Sequence, residues 1–556
     1  MAINILSVLF TFLFTLLISY PSGNTSSYLV YLTDKNTTEV TDALAKQQLS
    51  KKTIEKRIRK DIPFNTYDLP VSNDYVLELK QRNSVVKQKS KWLNAVLIES
   101  NNIESIEEIK TLPFVKSIQK LSKAKVKHQP SGHFKNSIID HNSFNKLSHL
   151  KTQNEYGMAY NQIEMVNGVA LHNKGQKGEE MTIAVFDAGF VSVGNLSLFD
   201  EMFAEGRYLG AYDFVIDSTK LSAAHTHGTQ VLSIMVGNNP GEYIGTAPNA
   251  NYWLFRTEDV FAEYLAEEFF WAMAAEYADS VGVDIINSSL GYTTFDDPTE
   301  NHTYNDMDGN TTPITIAADI AASKGILVVN SAGNSGNSSW FYIGAPADGD
   351  SVLAIGGADS TGTYTSFSSK GPSFDGDIKP NVSAQAEGTW IANPWANGIG
   401  KGNGTSFSGP IIAGMAACLW QAHPTKTNID VMRAIEKSCH QYDNPDEFLG
   451  FGIPDFVLAD AILSGINVQD FNKDEIVNLY PNPTPNNFTI SYYSSTDQFV
   501  EVELIDVSGR LVQQKSLVLD ARSLTEISFA TPQANGIYIV NISSTKSNLS
   551  KRIILN

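Results

Sequence analysis

Gly404-Thr405-Ser406-Phe407-Ser408-Gly409-Pro410 stands immediately before an apolar run, Ile411 to Trp420. Glycine on either side of the serine lets the backbone turn tightly and lets another chain approach closely. The run predicts a helix with Ser406 at its N-terminus, where unpaired N–H groups and the helix dipole favour negative charge. A serine held there is placed to attack a carbonyl and to have the resulting oxyanion stabilised. Two further segments complete the set. Thr182-Ile183-Ala184-Val185-Phe186-Asp187-Ala188-Gly189 is a β-branched apolar run ending in a carboxylate, and His227-Gly228-Thr229 opens another helical stretch.

A serine hydroxyl is a weak nucleophile until a base takes its proton, and imidazole does this near neutral pH. The imidazole in turn needs a carboxylate to hold its tautomer and stabilise its positive form. Ser406, His227 and Asp187 supply those three groups. Singly, each has a plainer reading: Asp187 as a turn cap, His227 as a surface histidine, Ser406 as a helix N-cap. Their order along the chain, Asp then His then Ser, each with a neighbouring glycine, resembles the subtilisin-like serine proteases (subtilases). His225 competes with His227 for the base, and the Gly-Thr that follows His227 decides between them.

That resemblance implies further roles. The oxyanion donor maps to Asn334 in Ser331-Ala332-Gly333-Asn334, with the Ser406 backbone N–H as the second donor. Ser289-Leu290-Gly291 is similar to the segment that pairs with an extended substrate backbone by strand addition. Phe367-Ser368-Ser369-Lys370-Gly371-Pro372, Asp375-Gly376 and Ile378-Lys379-Pro380 resemble the loop leading toward the serine, and are read as architectural. Three departures from the family pattern stand out. Ala188 replaces the usual Ser or Thr after the aspartate, Phe407-Ser408 replaces Met-Ala, and Asn381 stands where Asp is common. None removes one of the chemical groups named above.

At 556 residues, 42% hydrophobic and 18% charged, the chain is globular in composition and long enough for several domains. Met1 to Ser22 holds an apolar run from Ile5 to Ile18, too short for the roughly 20 residues of a membrane span, and reads as a secretory signal. Charge is unevenly shared. Residues 24–150 hold 21 Lys/Arg against 13 Asp/Glu, a net of +8, whereas the rest carries −27. A basic propeptide folded against an acidic enzyme accounts for this better than nucleic-acid binding, because aromatic residues do not interleave with the basic ones. The two cysteines, Cys418 and Cys439, exclude a disulfide-built scaffold, and a buried free thiol is expected at Cys418.

Organisation follows from periodicity. Tyr28–Leu32, Asn94–Glu99 and Val115–Ile118 read as strands and Ser105–Leu112 as a helix, a β-α-β pattern similar to the small ferredoxin-like propeptides of subtilases. Ser122 to Gln153 suits an exposed, cleavable linker. From Lys151 to Phe456, apolar strands (Thr182–Phe186, Tyr252–Phe255, Asp284–Asn287, Ile326–Val329, Val352–Ile355) alternate with helices such as Ala262–Val281 and Ile314–Ser323. This predicts an α/β fold, a subtilisin-like parallel sheet with helices on both faces, whose ligands bind beyond the strand C-termini. From Val477 the chain turns into short alternating strands, including Phe488–Tyr492, Val500–Ile505 and Gly536–Ile542, the composition of a small β-sandwich. Asn478-Leu479-Tyr480-Pro481-Asn482-Pro483 at its start and Lys551-Arg552-Ile553-Ile554-Leu555-Asn556 at its end resemble the sorting domain of proteins exported by a type IX secretion system.

The expected architecture is therefore a signal over 1–23, a propeptide over 24–150 (ferredoxin-like to about 121), a catalytic domain over 151–460, a linker over 461–476 and a sorting domain over 477–556. The resemblance implies a secreted or surface serine endopeptidase acting on polypeptides, inhibited by its own propeptide, handled by the type IX machinery, monomeric, and without nucleic-acid partners. No organic cofactor is expected, and calcium enters only as a structural ion known in the family. The acidic insertion Thr293–Thr312 lacks the spacing of a calcium loop and is read as solvated. Two rival functions use the same fold: a catalytically inactive surface-binding protein, and an esterase.

Overall fold

The computed structural model describes residues 25–37, 40–122, 155–465, 473–484, 487–519, 523–530 and 534–555. The signal expected at 1–23 lies outside the described residues, as does the expected linker from residue 123 onward. Three units follow one another along the chain.

The first contains β1 (Ser26–Leu32), α1 (Asp42–Lys46), α2 (Lys51–Arg59), α3 (Asn73–Lys80), β2 (Val85–Ser90), β3 (Ala95–Ser100), α4 (Ile103–Lys110) and β4 (Val115–Leu121). Its strands lie in the order β2-β3-β1-β4 with every neighbour antiparallel, the expected ferredoxin-like sheet. Side chains alternate across a strand, so the two faces of β1 serve different cores. Tyr28, Val30 and Leu32 pack with Val76 and Leu79 of α3 and Ile106 and Ile109 of α4. Leu29, from the opposite face, joins Trp92, Ala95, Leu97 and Leu121 in a core shared with the second unit. The sequence reading missed α1, α2, α3 and β2. The reason is visible in α2 and β2: their buried positions are polar (Thr53, Lys56 and Arg57 in α2, Gln88 and Ser90 in β2), so no apolar period marks them.

The second unit carries β5 (Thr182–Asp187), β6 (Tyr208–Asp213), α5 (His227–Val236), β7 (Asn251–Arg256), α6 (Ala266–Val281), β8 (Ile285–Ser288), α7 (Pro313–Ser323), β9 (Leu327–Ser331), β10 (Val352–Ala358), β11 (Val382–Gln385), α8 (Thr405–Ala422), α9 (Asn428–Lys437) and α10 (Phe456–Leu463). The seven strands run in the order β11-β10-β9-β8-β5-β7-β6, every pair parallel. Ile183 and Val185 of β5 pack on one side with Val231 of α5 and Ile411 and Met415 of α8. Ala184 and Phe186 pack on the other with Phe269 and Trp271 of α6 and Ala318 of α7. Trp271 is fully buried, edge-on to Phe186 at 5.3 Å, and its Nε1 donates to Ser288 Oγ at 3.0 Å. Truncating such a side chain to alanine costs about 3–5 kcal/mol.

Five of these seven strands are legible in the sequence. The outermost two, β6 and β11, are not, because Tyr208–Asp213 is only half-buried and Val382–Gln385 is only four residues long and half polar. The helix expected from Ala262 begins at Ala266. The Glu267 carboxylate reaches back to accept the N–H groups of Asp259 (2.7 Å) and Tyr264 (3.2 Å), which holds the preceding stretch in turns.

The third unit is a sandwich of β12 (Glu475–Tyr480), β13 (Phe488–Ser494), β14 (Gln498–Asp506), β15 (Leu511–Leu519), β16 (Ser523–Phe529), β17 (Gly536–Ser543) and β18 (Asn548–Leu555). Sheets β12-β13-β16 and β15-β14-β17-β18 are antiparallel and enclose Phe488, Ile490, Val502, Leu504, Val540 and Ile553. Asn482 ties the opening motif to the closing strand: its Oδ1 accepts from Ile554 N at 2.9 Å and its Nδ2 donates to Arg552 O at 3.0 Å.

Both cysteines are free thiols buried in the second unit. Cys418 Sγ donates to Thr246 O at 3.1 Å and Cys439 Sγ to Ile435 O at 3.3 Å, and burial raises both thiols well above their ordinary range. A chromogenic thiol reagent is therefore expected to leave both groups unreacted in the native protein and to titrate two after denaturation without reductant. Zero thiols after denaturation would instead show a disulfide.

Candidate active site

In a parallel sheet covered on both faces, polar side chains gather at the strand ends. Asp187 is the last residue of β5, Ser289 follows β8, and Asn334 lies three residues past β9. All three are on the same edge of the sheet, as the sequence predicts. The N-termini of α5 and α8 bring His227 and Ser406 to that edge.

His227 Nδ1 lies 2.9 Å from both carboxylate oxygens of Asp187, which is fully buried. Asp187 Oδ1 also accepts the Ala188 N–H at 2.7 Å, so a backbone donor remains where the family's hydroxyl is missing. Gly228 is required by close packing: a Cβ there would stand 2.5 Å from the Gly189 carbonyl and 2.9 Å from the Asp187 Cβ. His225 does something different. Its Nδ1 accepts the backbone N–H of His227 at 3.1 Å, capping the start of α5, and burial followed by the neighbouring His227 lowers its pKa. The choice of His227 over His225 thus agrees with the carboxylate pairing.

Ser406 is 7% exposed, and its Oγ lies 3.4 Å from the Ser289 carbonyl. Ser289 Oγ donates back to the Ser406 carbonyl at 3.0 Å, locking the two segments together. The Phe407 ring stands 5.9 Å from the His227 ring. Asn334 Oδ1 accepts from Thr405 N at 2.9 Å and Thr405 Oγ1 at 3.2 Å, so the amide's flip is fixed and Nδ2 is its donor end. Gly333 before it has φ +107° and no room for a Cβ, which would meet Ser369 Oγ at 2.8 Å. Ser369 Oγ in turn accepts Ser335 N at 3.0 Å, and Ser369 N donates to Gly333 O at 2.9 Å. The Phe367–Pro372 segment is thereby the support of the Asn334 turn, as its architectural reading anticipates. Asn330 Nδ2 donates to the Leu290 carbonyl at 3.0 Å and fixes the Ser289–Gly291 edge.

One group escaped the sequence reading. Glu258, just beyond β7, is buried, and its Oε1 accepts from Thr257 Oγ1 at 2.9 Å and from the Tyr292 hydroxyl. Tyr292 follows Gly291, so this bond joins the loops after β7 and β8 across the end of β5. Burial first, then the charges of Glu263 and Asp187, raise the Glu258 carboxyl above the ordinary carboxylate range. In the sequence, Arg256-Thr257-Glu258-Asp259 reads only as a polar loop.

The acidic insertion is held by local bonds. Asp297 Oδ1 accepts Thr299 N at 2.9 Å, Asp306 Oδ2 accepts Thr303 N at 2.6 Å, and Asp308 Oδ1 accepts the N–H groups of Asn310 and Thr311, both at 2.9 Å. His302 Nε2 pairs with Glu268 of α6 at 2.5 Å and anchors the loop. Elsewhere the exposed carboxylates of Asp350, Asp375 and Asp377 offer oxygens within 4.8 Å of one another. Exposed acidic groups gather in this way without holding an ion, and no role is assigned to them.

Comparisons with known proteins agree with this geometry. The subtilase family matches residues 178–452, a peptidase S8 propeptide domain of Bacteroidota matches 27–135, and a secretion-system C-terminal sorting domain matches 478–556. Subtilisin from Bacillus pumilus is 30% identical over 283 residues, covering 50% of this chain and 90% of that protein. Subtilisin E of Bacillus subtilis (strain 168) is 30% identical over 289 residues, 51% of this chain but 66% of that one. Among solved structures, fervidolysin from Fervidobacterium pennivorans, a keratinolytic enzyme related to subtilisin, superposes with a TM-score of 0.53 at 15% identity, covering 96% of this chain and 76% of that chain. At that identity the likeness shows a shared fold.

The Glu258 site has a measurable consequence. Above the ordinary carboxylate range the folded state holds a proton that the unfolded chain has lost, so stability from this group falls as pH rises through that window. Glu258→Gln stays neutral throughout. Its melting temperature is expected to decline less than that of the parent between pH 5 and pH 8 on a Ser406→Ala background, followed by circular dichroism. Parallel declines would show that Glu258 is ionised in the fold.

Proposed function

This chain belongs to the subtilase family, and from that premise we propose that it is a serine endopeptidase, made as a zymogen, that hydrolyses peptide bonds in proteins. The observation that carries the reading is the buried Asp187–His227 pair at the same sheet edge as Ser406 and the donor end of Asn334. In this reading the Ser406 hydroxyl attacks the scissile carbonyl while His227 Nε2 takes its proton, and Asp187 holds the Nδ1–H and stabilises the imidazolium. The Ser406 backbone N–H and Asn334 Nδ2 receive the oxyanion. His227 then protonates the leaving amine, and a water activated by the same imidazole releases the acyl group. Ser289, Leu290 and Gly291 receive the substrate as an added strand.

We place the propeptide at 24–150, the catalytic domain at 151–460, a linker at 461–476 and the sorting domain at 477–556, preceded by a secretory signal at 1–23. The sorting domain supports export to the cell surface or medium, and the type IX machinery is its proposed partner. The propeptide acts as an inhibitor of a monomeric enzyme until it is removed.

Replacing Ser406 by alanine should abolish propeptide loss, read by intact mass, and lower casein hydrolysis by about 10⁶-fold in kcat. Asn334→Ala should lower kcat by about 10²–10³-fold with KM little changed; that size of loss for one oxyanion donor was itself set by a subtilisin. Equal activity in the wild type and Ser406→Ala would sink the protease reading, and hydrolysis of esters alone would favour the esterase.

A further inference from the structure

The connection between β1 and α3 spans 33–72, far longer than a strand-to-helix connection of this kind needs. Helix α2 within it turns its buried side chains away from the propeptide's own core. Thr53 Oγ1 donates to Asp279 O at 2.9 Å, and Lys56 Nζ reaches Val283 O at 2.7 Å and Asp284 Oδ1 at 2.9 Å. The Arg57 guanidinium, with no exposed side-chain surface, binds Asp279 Oδ2 at 2.5 Å and Asp68 Oδ1 at 2.7 Å. Lys324 of the catalytic domain returns to Asp68 Oδ2 and Asn65 Oδ1, each at 2.8 Å. Lys60 Nζ donates to Lys426 O at 2.8 Å and lies 4.0 Å above the Trp420 ring.

These partners share one location. Asp284 immediately precedes β8, Lys324 precedes β9, and Asp279 and Val283 flank the end of α6. They lie at the N-terminal ends of the strands whose C-terminal ends carry Asp187, Ser289 and Asn334. The sheet face of the propeptide meets α6: Leu29, Trp92 and Leu97 share one buried core with it, and Glu276 of α6 accepts the Trp92 N–H at 3.0 Å. The α2 arm makes a separate contact at the opposite pole.

We propose that residues 50–68 form a second docking element, remote from the active site, that keeps the severed propeptide on the enzyme by gripping the pole built from Asp279, Val283, Asp284, Lys324 and Trp420. This deepens the propeptide reading above and rests on it. Two linked contacts raise each other's effective concentration, so release requires both to open together. The Arg57–Asp68–Asp279–Lys324 cluster is dry, so salt screens it little. Losing one partner leaves a buried charge without compensation, which makes the arm sensitive to single substitutions.

The test uses the full chain with Ser406→Ala and a site-specific protease sequence placed within 123–154. After cutting, the two fragments are separated by gel filtration and their dissociation on dilution is timed, in low and in 0.5 M salt. The severed fragments are expected to co-elute at both salt concentrations, with release at least tenfold faster in Lys56→Ala/Lys60→Ala and in Arg57→Ala. Lys60, at the margin of the contact, supplies a third variant, Lys60→Gln, that keeps the test decisive where Arg57→Ala fails to fold. Immediate separation of the parent fragments, or release from folded arm variants at the parent rate, would overturn the proposal. Because the chain lacks Ser406, the result is independent of whether Ser406 is the nucleophile; that question is answered by the casein assay.

Discussion

A parallel sheet must be covered on both faces, and this constraint organises the whole molecule. Ile183 and Val185 are taken by α5 and α8, and Ala184 and Phe186 by α6 and α7, so no polar chemistry can sit on either face. Only the two ends of the strands remain for charged side chains. One end collects Asp187, Ser289 and Asn334, joined there by His227 and Ser406. The other collects Asp284, Asp279 and Lys324, joined by Lys56 and Arg57 of the propeptide.

Within this edge, the segments are held to one another by side-chain-to-backbone bonds. Ser289 and Ser406 hold each other through side chain and carbonyl, Thr405 fixes the flip of Asn334, and Ser369 supports the turn that carries it. Glu258 and Tyr292 join the two loops that flank the end of β5. On the proposed reading, a site assembled this way keeps its donors oriented before substrate arrives, which is the condition under which electrostatic stabilisation is strong.

The charge imbalance along the chain becomes a contact in three dimensions. Part of the basic excess of residues 24–150 meets the second unit directly: Lys52, Lys56, Arg57, Lys60 and Lys91 reach its carboxylates, carbonyls or an aromatic ring or lie beside its Glu276. Glu276 itself receives Ser90 Oγ at 2.5 Å and the N–H groups of Lys91 and Trp92, both at 3.0 Å. A buried carboxylate fully supplied with donors fixes the β2–β3 hairpin on α6.

The sequence by itself determined the order of Asp187, His227 and Ser406 along the chain, the apolar strands β5, β7, β8, β9 and β10, and the sandwich, and it marked out His227, which pairs with Asp187, from His225. Each rests on local pattern: period, flanking glycine, or a residue type at a strand end. Tertiary structure alone decided what α2 does, because its buried residues are polar or charged and each has a partner more than two hundred positions away in the chain. It alone revealed the Glu258–Tyr292 bond, the edge strands β6 and β11, and the link from Asn482 to the closing strand. Hydrophobic periodicity reports what faces an apolar core. A buried polar residue is stable only through a specific partner, and which partner that is depends on how distant segments meet.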